Sequence, residues 1–153
     1  MIVKTRKFNN RYLAKVIREA TRFYLGRLLP ETKFKKLNII VKQTDSDYAD
    51  GSCYYKSKYE YEIELGAHVS VNHKLLTLAH ECVHVKQYTT RQLKTFYVGH
   101  YPVDMWEGKR YRNLKYDDQP WEREALESEE ELLYSFISEC YALGNLDLEK
   151  LKS

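Results

Sequence analysis

The run His80-Glu81-Cys82-Val83-His84 places two imidazoles four residues apart, with a carboxylate directly after the first. On a helix that spacing sets both rings on one side, about one turn apart, which is the reach of a single zinc ion. Glu81 then lies beside the first ring, close enough to act on a water at the metal without ligating it. The chemistry on offer is metal-assisted hydrolysis. Histidine is uncommon, and chance should produce this arrangement in well under about one chain in fifty of this length. The preceding run Leu75-Leu76-Thr77-Leu78-Ala79 has helical period, and Leu76, Ala79 and Val83 make a stripe that would bury the helix. Partly buried imidazoles want a defined partner, and a metal supplies one. Cys82 falls on another face and reads as a small buried residue.

A catalytic zinc usually takes three protein ligands and keeps one position open. The segment from Pro120 reads as a long final helix, and on its wheel Trp121, Ala125, Leu132, Leu133, Phe136, Ile137 and Cys140 share one face. Glu122 falls near the middle of that face, whereas Glu124 points away with Glu127 and Glu131. A carboxylate aimed into a core needs a cation or strong donors, so Glu122 is the expected third ligand. Glu129, two turns along the same face, is placed to orient a ligand. The competitor is His100, in the Gly- and Pro-flanked stretch Val98-Gly99-His100-Tyr101-Pro102. His68 and His73 read as surface or capping residues.

These residues need elements to position them. Asn9 and Asn10 can cap a first helix that Pro30 stops at Leu29, with Leu13, Val16, Ile17, Ala20 and Tyr24 at helical spacing. Arg11, Lys15, Arg18 and Arg22 line another of its faces. Leu37–Val41 reads as a strand, and Cys53–Tyr55 and Tyr59–Leu65 as two more joined at Ser57-Lys58. The last alternates Tyr59, Tyr61, Ile63, Leu65 against Glu60, Glu62, Glu64, the pattern of an antiparallel strand with one wet side. The metal helix should run from about Asn72 to Tyr88, residues 95–118 should be rich in loops, and the final helix should reach about Leu143, ended by Gly144-Asn145. Together these predict an α+β fold in one domain over residues 1–153: an N-terminal helix, a small mostly antiparallel sheet, the metal helix and a long C-terminal helix.

Composition narrows the setting. The start is basic but lacks an apolar run behind it, and no stretch has the length of a membrane span. Three separated cysteines argue against a disulfide framework and for a cytoplasmic location. The net charge of +3 hides a basic N-terminal third and an acidic C-terminal quarter. That split favours a basic first helix packed near an acidic last helix over a nucleic-acid surface.

The sequence His80-Glu81-Cys82-Val83-His84-Val85-Lys86-Gln87, then Trp106-Glu107-Gly108, then Pro120-Trp121-Glu122-Arg123-Glu124-Ala125 resembles the small zincin-type metallopeptidases often encoded by bacteriophages. The similarity covers roughly residues 37–143, and only the first motif is highly specific. In the gluzincin branch a glutamate three residues before an alanine on a later helix completes the zinc site, which maps onto Glu122 with His80 and His84. That branch often carries an acid or amide after the alanine; here it is Leu126, and Glu129 can substitute. The resemblance implies Zn2+ as cofactor, Glu81 as the catalytic base, a protein or peptide substrate, and the host cytoplasm as location for a phage-encoded chain. The Tyr59–Leu65 strand is the expected substrate edge, its glutamates favouring basic substrates, and Tyr111, Tyr116 or Arg123 the expected oxyanion stabiliser. The spacing to His100 also resembles SprT/Spartan-like peptidases that act on DNA-bound proteins through a third histidine. A third expectation is a non-catalytic adaptor with structural zinc, whose fourteen tyrosines and basic stripe would contact nucleic acid.

Overall fold

The computed structural model describes residues 1–142 and 149–151, so the expected stop at Gly144-Asn145 lies outside the described residues. The chain lays down β1 (Ile2–Arg6), α1 (Arg11–Leu28), the short α2 (Glu31–Phe34), β2 (Asn38–Thr44), β3 (Gly51–Ser57), β4 (Glu60–Gly66), α3 (Val71–Thr89), β5 (Leu93–Val98), β6 (Tyr101–Trp106), β7 (Lys109–Tyr111) and α4 (Pro120–Ala142). The class is α+β. Asn10 starts α1 by accepting the backbone N–H groups of Tyr12 and Leu13. Ser70 does the same for α3 through His73, slightly upstream of the expected start.

The four-stranded sheet has the order β1-β2-β4-β3. The β1–β2 and β2–β4 pairs are parallel, and β3–β4 is antiparallel. This sheet is therefore mixed rather than mostly antiparallel. Two things hid that from the sequence: β1 buries only Val3, too little to reveal a strand, and α1 returns the chain as a crossover that makes β1 and β2 parallel. Tyr61, Ile63 and Leu65 of β4 are buried as their alternation predicts. On the opposite face Lys42 reaches Glu64 at 3.0 Å and Glu62 at 4.0 Å. Because β2 and β3 pair with both its sides, β4 has no free edge for a substrate; Glu62 and Glu64 are engaged with Lys42, and Glu60 accepts from the Ser57 hydroxyl. The expectation of a β4 substrate edge is overturned, since alternation reports the buried face and says nothing about strand order. β3 is the edge strand beside α3.

The stretch expected to be loop-rich is instead an antiparallel sheet, β5-β6-β7. Gly99 at φ 63°, and Glu107 and Gly108 at 48° and 85°, supply the positive dihedrals that two-residue hairpin turns need. Tyr97, Val98 and Tyr101 stand exposed at its tip, so no clean alternation marks these strands. Leu93, Trp106 and Trp121 form a small second core, joined to the main one at Tyr88.

α3 is buried nearly all round, between α1, α4 and the sheet. Its polar residues therefore need partners: buried Lys74 donates to the Gly66 carbonyl at 2.6 Å and Thr89 donates to the Tyr61 hydroxyl at 3.0 Å. The basic helix meets the acidic one where Arg27 pairs with Glu139, whereas Arg11, Lys15 and Arg22 face solvent and Arg18 donates to Thr5. Among the described residues no helix is long and apolar enough to cross a membrane.

One glycine sets how close α3 lies to the edge strand. A β-carbon on Gly51 would sit 2.4 Å from Cγ2 of Thr77 and 3.3 Å from Oε1 of Glu81. Thr77 is β-branched and cannot easily swing away. Gly51→Ala is expected to destabilise the fold by about 1–3 kcal/mol, read as a lower urea midpoint. Thr77→Ala in the same chain should recover most of the loss; an unchanged midpoint in Gly51→Ala would refute the close approach.

Candidate metal centre

His80 and His84 project from the middle of α3 toward the first turn of α4, where Glu122 points back at them. His80 Nε2 lies 3.0 Å from Glu122 Oε2, and His84 Nε2 lies 3.3 Å from Glu122 Oε1. One ligand atom from each of the three residues falls within 4.8 Å of the other two. All three are buried, at 9%, 8% and 9% exposure.

The far side of each ring is already taken. His80 Nδ1 lies 2.8 Å from Glu129 Oε2, and His84 Nδ1 donates to Gln87 Oε1 at 2.8 Å. Gln87 in turn donates to the Trp121 carbonyl at 2.9 Å, which ties the second histidine to α4. With Nδ1 held in both rings, each offers Nε2 to the same point in space, as metal-ligating histidines do. Two imidazoles and one carboxylate, with Nδ1 braced from behind, fit a divalent metal ion.

Glu81 sits beside this group at 6% exposure. Among the described residues no hydrogen bond or ion pair engages its carboxylate, and it lines both cavities that reach the site. One, of about 380 Å3, opens toward Asp50, His73 and Leu126. The other, of about 290 Å3, runs along Cys53, Tyr88, Asp104 and Trp121. Burial raises the Glu81 pKa, the neighbouring histidines lower it, and Glu122 and Glu129 raise it further, leaving it above the ordinary carboxylate value. Burial also opposes charge on Glu122, but the hydrogen bonds from His80 and His84 outweigh it and hold that carboxyl well below the usual range. For His80, desolvation is overcome by the Glu122 hydrogen bond, the Glu81 charge and Glu129, and its pKa rises to about 9.

The structure thus brings together His80, His84, Glu122, Glu81 and Glu129. His100 is elsewhere, exposed at the turn between β5 and β6 and outside the donor group. His68 and His73 are exposed and both bind the Asp50 carboxylate, at 3.1 and 2.7 Å. Cys82 is a buried free thiol. Glu124 differs from its expected role as free surface charge: Lys86 reaches it at 2.6 Å and Gln92 donates to it at 2.6 Å, pinning α4 to the end of α3. Of the three oxyanion candidates only Tyr116 borders the site, lining both cavities together with Glu81. Tyr111 packs on Trp121, and Arg123 bonds the Asp117 carbonyl. The sequence reading missed Gln87 and Gly51. Gln87 had one available signal, a position three residues past His84 on the same helix face.

No family model, curated protein or solved structure matches the chain.

Metal content by mass spectrometry should be about one equivalent for wild type and His100→Ala and well below that for Glu122→Ala. Retention in Glu122→Ala with loss in His100→Ala would reverse the ligand assignment. Protonation gives a second check. A histidine raised from 6.5 to about 9 stabilises the metal-free fold fully below about pH 6.5 and loses that contribution as pH rises through 9. Ligation needs the neutral ring, so metal affinity should increase from pH 6.5 to 9. Calorimetry at pH 7 in buffers of differing ionisation enthalpy should detect release of about one or two protons per metal; zero release counts against the assignment.

Proposed function

We propose that this chain is a zinc-dependent peptidase of zincin-like type, with His80, His84 and Glu122 as ligands and Glu81 as the base. The observation that carries the reading is Glu81: a buried carboxylate with no hydrogen-bond partner among the described residues, adjoining a three-donor set and opening onto two cavities. A purely structural metal site gains nothing from such a group, and structural zinc favours four closed ligands. The His-His-Glu donor set supports zinc as the metal. When bound, zinc would supply a Lewis acid and lower the pKa of water toward about 7.

The chain's own groups then have separable tasks. Glu81, with its pKa raised above the ordinary carboxylate value, accepts the proton of the attacking water and returns it to the leaving nitrogen. The peptide bond breaks, and the products are a carboxylate and an amine. Tyr116, at the mouth of both cavities, can donate its hydroxyl to the oxygen on which charge develops. Burial and the Glu122 carboxylate raise its pKa, so it keeps that proton. Glu129 and Gln87 hold the ligand rings in orientation. The free edge of β3, whose Gly51 and Cys53 border the site, offers backbone pairing to an extended substrate.

Glu81→Gln should retain its metal yet lose casein or self-cleavage by at least about a hundredfold. Undiminished cleavage in that variant, or no proteolysis by metal-loaded wild type together with salt-dependent DNA binding, would reject the peptidase in favour of an adaptor.

A further inference from the structure

Beyond the metal centre, a separate cavity of about 200 Å3 opens between the end of β3, the last turn of α3 and the start of β5. Tyr55 and Tyr88 form its aromatic wall, with ring centroids 5.5 Å apart. Around them stand Lys58, Arg91 and Lys94, and among the described residues no acidic side chain lines the cavity. Lys58 lies over the Tyr59 ring, and among the described residues none of the three cations makes a salt bridge. Asp104, the acid that Thr95 touches at 2.7 Å, lines the metal-side cavity instead. Tyr88 and Leu93 border both cavities, so the two adjoin.

Three like charges around a concave apolar wall repel one another, and an anion between them reverses the sign of that interaction. The negative end of α3 accounts for one cation, Arg91, but not for Lys58 from a turn or Lys94 from a strand. Arg91 also stands at φ 62°, the left-handed region where glycine is the ordinary occupant of a helix end. Its N–H bonds the Tyr88 carbonyl at 3.1 Å, so the turn is well formed around the arginine.

The placement relative to the metal centre is informative. Gly51, Cys53 and Tyr55 share the α3-facing side of β3, Gly51 beside Glu81 and Tyr55 in this cavity. Four residues of strand separate them, about 13 Å. A peptide paired along the β3 edge with its scissile bond at the metal would therefore bring a residue three or four positions away to the cations. Resting on the peptidase reading above, we propose that this cavity is a specificity subsite for the carboxylate side chain of an Asp or Glu in the substrate, three or four residues from the bond that is cut.

The test uses metal-loaded Glu81→Gln and two fluorescein-labelled peptides of about ten residues, one with Glu at alternate positions and one with Gln in their place. Polarisation should show the Glu peptide binding at least about tenfold more tightly, a preference of the size one or two charge-assisted contacts give. Arg91→Gly with Lys94→Gln should level the two peptides, whereas Lys15→Gln with Arg22→Gln, the same charge change on α1, should not. Arg91→Gly alone should keep or raise Tm, because glycine accepts that dihedral. Equal binding of the two peptides, or a preference that survives in Arg91→Gly/Lys94→Gln, overturns the subsite. A peptide library cut by wild type with no acidic residue favoured three or four positions from the cut also overturns it, and leaves the peptidase reading standing. If the library stays uncut while the Glu preference persists, the anion site is upheld and the peptidase reading is the part that fails. A single-stranded oligonucleotide that displaces the Glu peptide, and is weakened by the same two substitutions, assigns the cations to phosphate and overturns the peptide subsite.

Discussion

The seam between α3 and α4 buries two imidazoles and a glutamate that face one another, with Glu129 and Gln87 closing the outer ring nitrogens, and the rest of the molecule is arranged around that requirement. Glu122 and Glu129 stand two turns apart on one face of α4 and bracket His80 from its two ring nitrogens. Ala125 lies between them, fully buried and small enough to let the helices approach. Displacing α4 by one turn would leave buried charges without partners, which is costly by several kcal/mol. Polar pairing therefore sets the register of the two helices, while Leu132 and Phe136 supply the apolar contact further along.

The balance of charge in this seam suits it to hold a cation. Glu81, Glu122 and Glu129 bring three carboxylates to two histidines, in a place where water screens poorly. Without a metal, the rings take up protons to compensate, which is why His80 and His84 are both raised. A divalent ion would answer the same demand in another way, with Nε2 of both rings free to ligate it. Among the described residues no donor reaches Glu81, and its pKa stays above the ordinary carboxylate value.

Around the seam, the hydrophobic layers act as a holder. The helices pack on one face of the mixed sheet, and the other face stays wet with Lys42, Glu62 and Glu64 in mutual contact. Gly51 leaves the room that lets α3 lie close against the edge strand at Thr77 and Glu81. The second sheet is attached through Tyr88, Leu93, Trp106 and Trp121, which places its first strand along the far wall of the metal-side cavity. Segregation of charge along the chain has a smaller role than its magnitude suggests. α3 lies between the basic and acidic helices, and Arg27 with Glu139 is where they join.

Much of the site was legible in the sequence because helical geometry is local. The spacing of His80 and His84 fixes their common side, and the wheel of α4 turns Glu122 and Glu129 inward and leaves Glu127 outward, whatever the rest of the chain does. The alternation of β4 likewise named its buried face. Strand order, parallel pairing and free edges were not legible, since they depend on which distant segments meet: β3 rather than β4 became the edge, and β1 and the β5–β7 sheet carried too few buried residues to announce themselves. Glu124 was misjudged for the same reason, as its partners Lys86 and Gln92 come from another element. The sequence by itself determined which side chains could serve a metal, because that follows from periodicity within one helix. Only the tertiary structure brought Glu122, and not His100, to the two imidazoles, because α4 crosses α3 at His80 while a hairpin carries His100 into solvent.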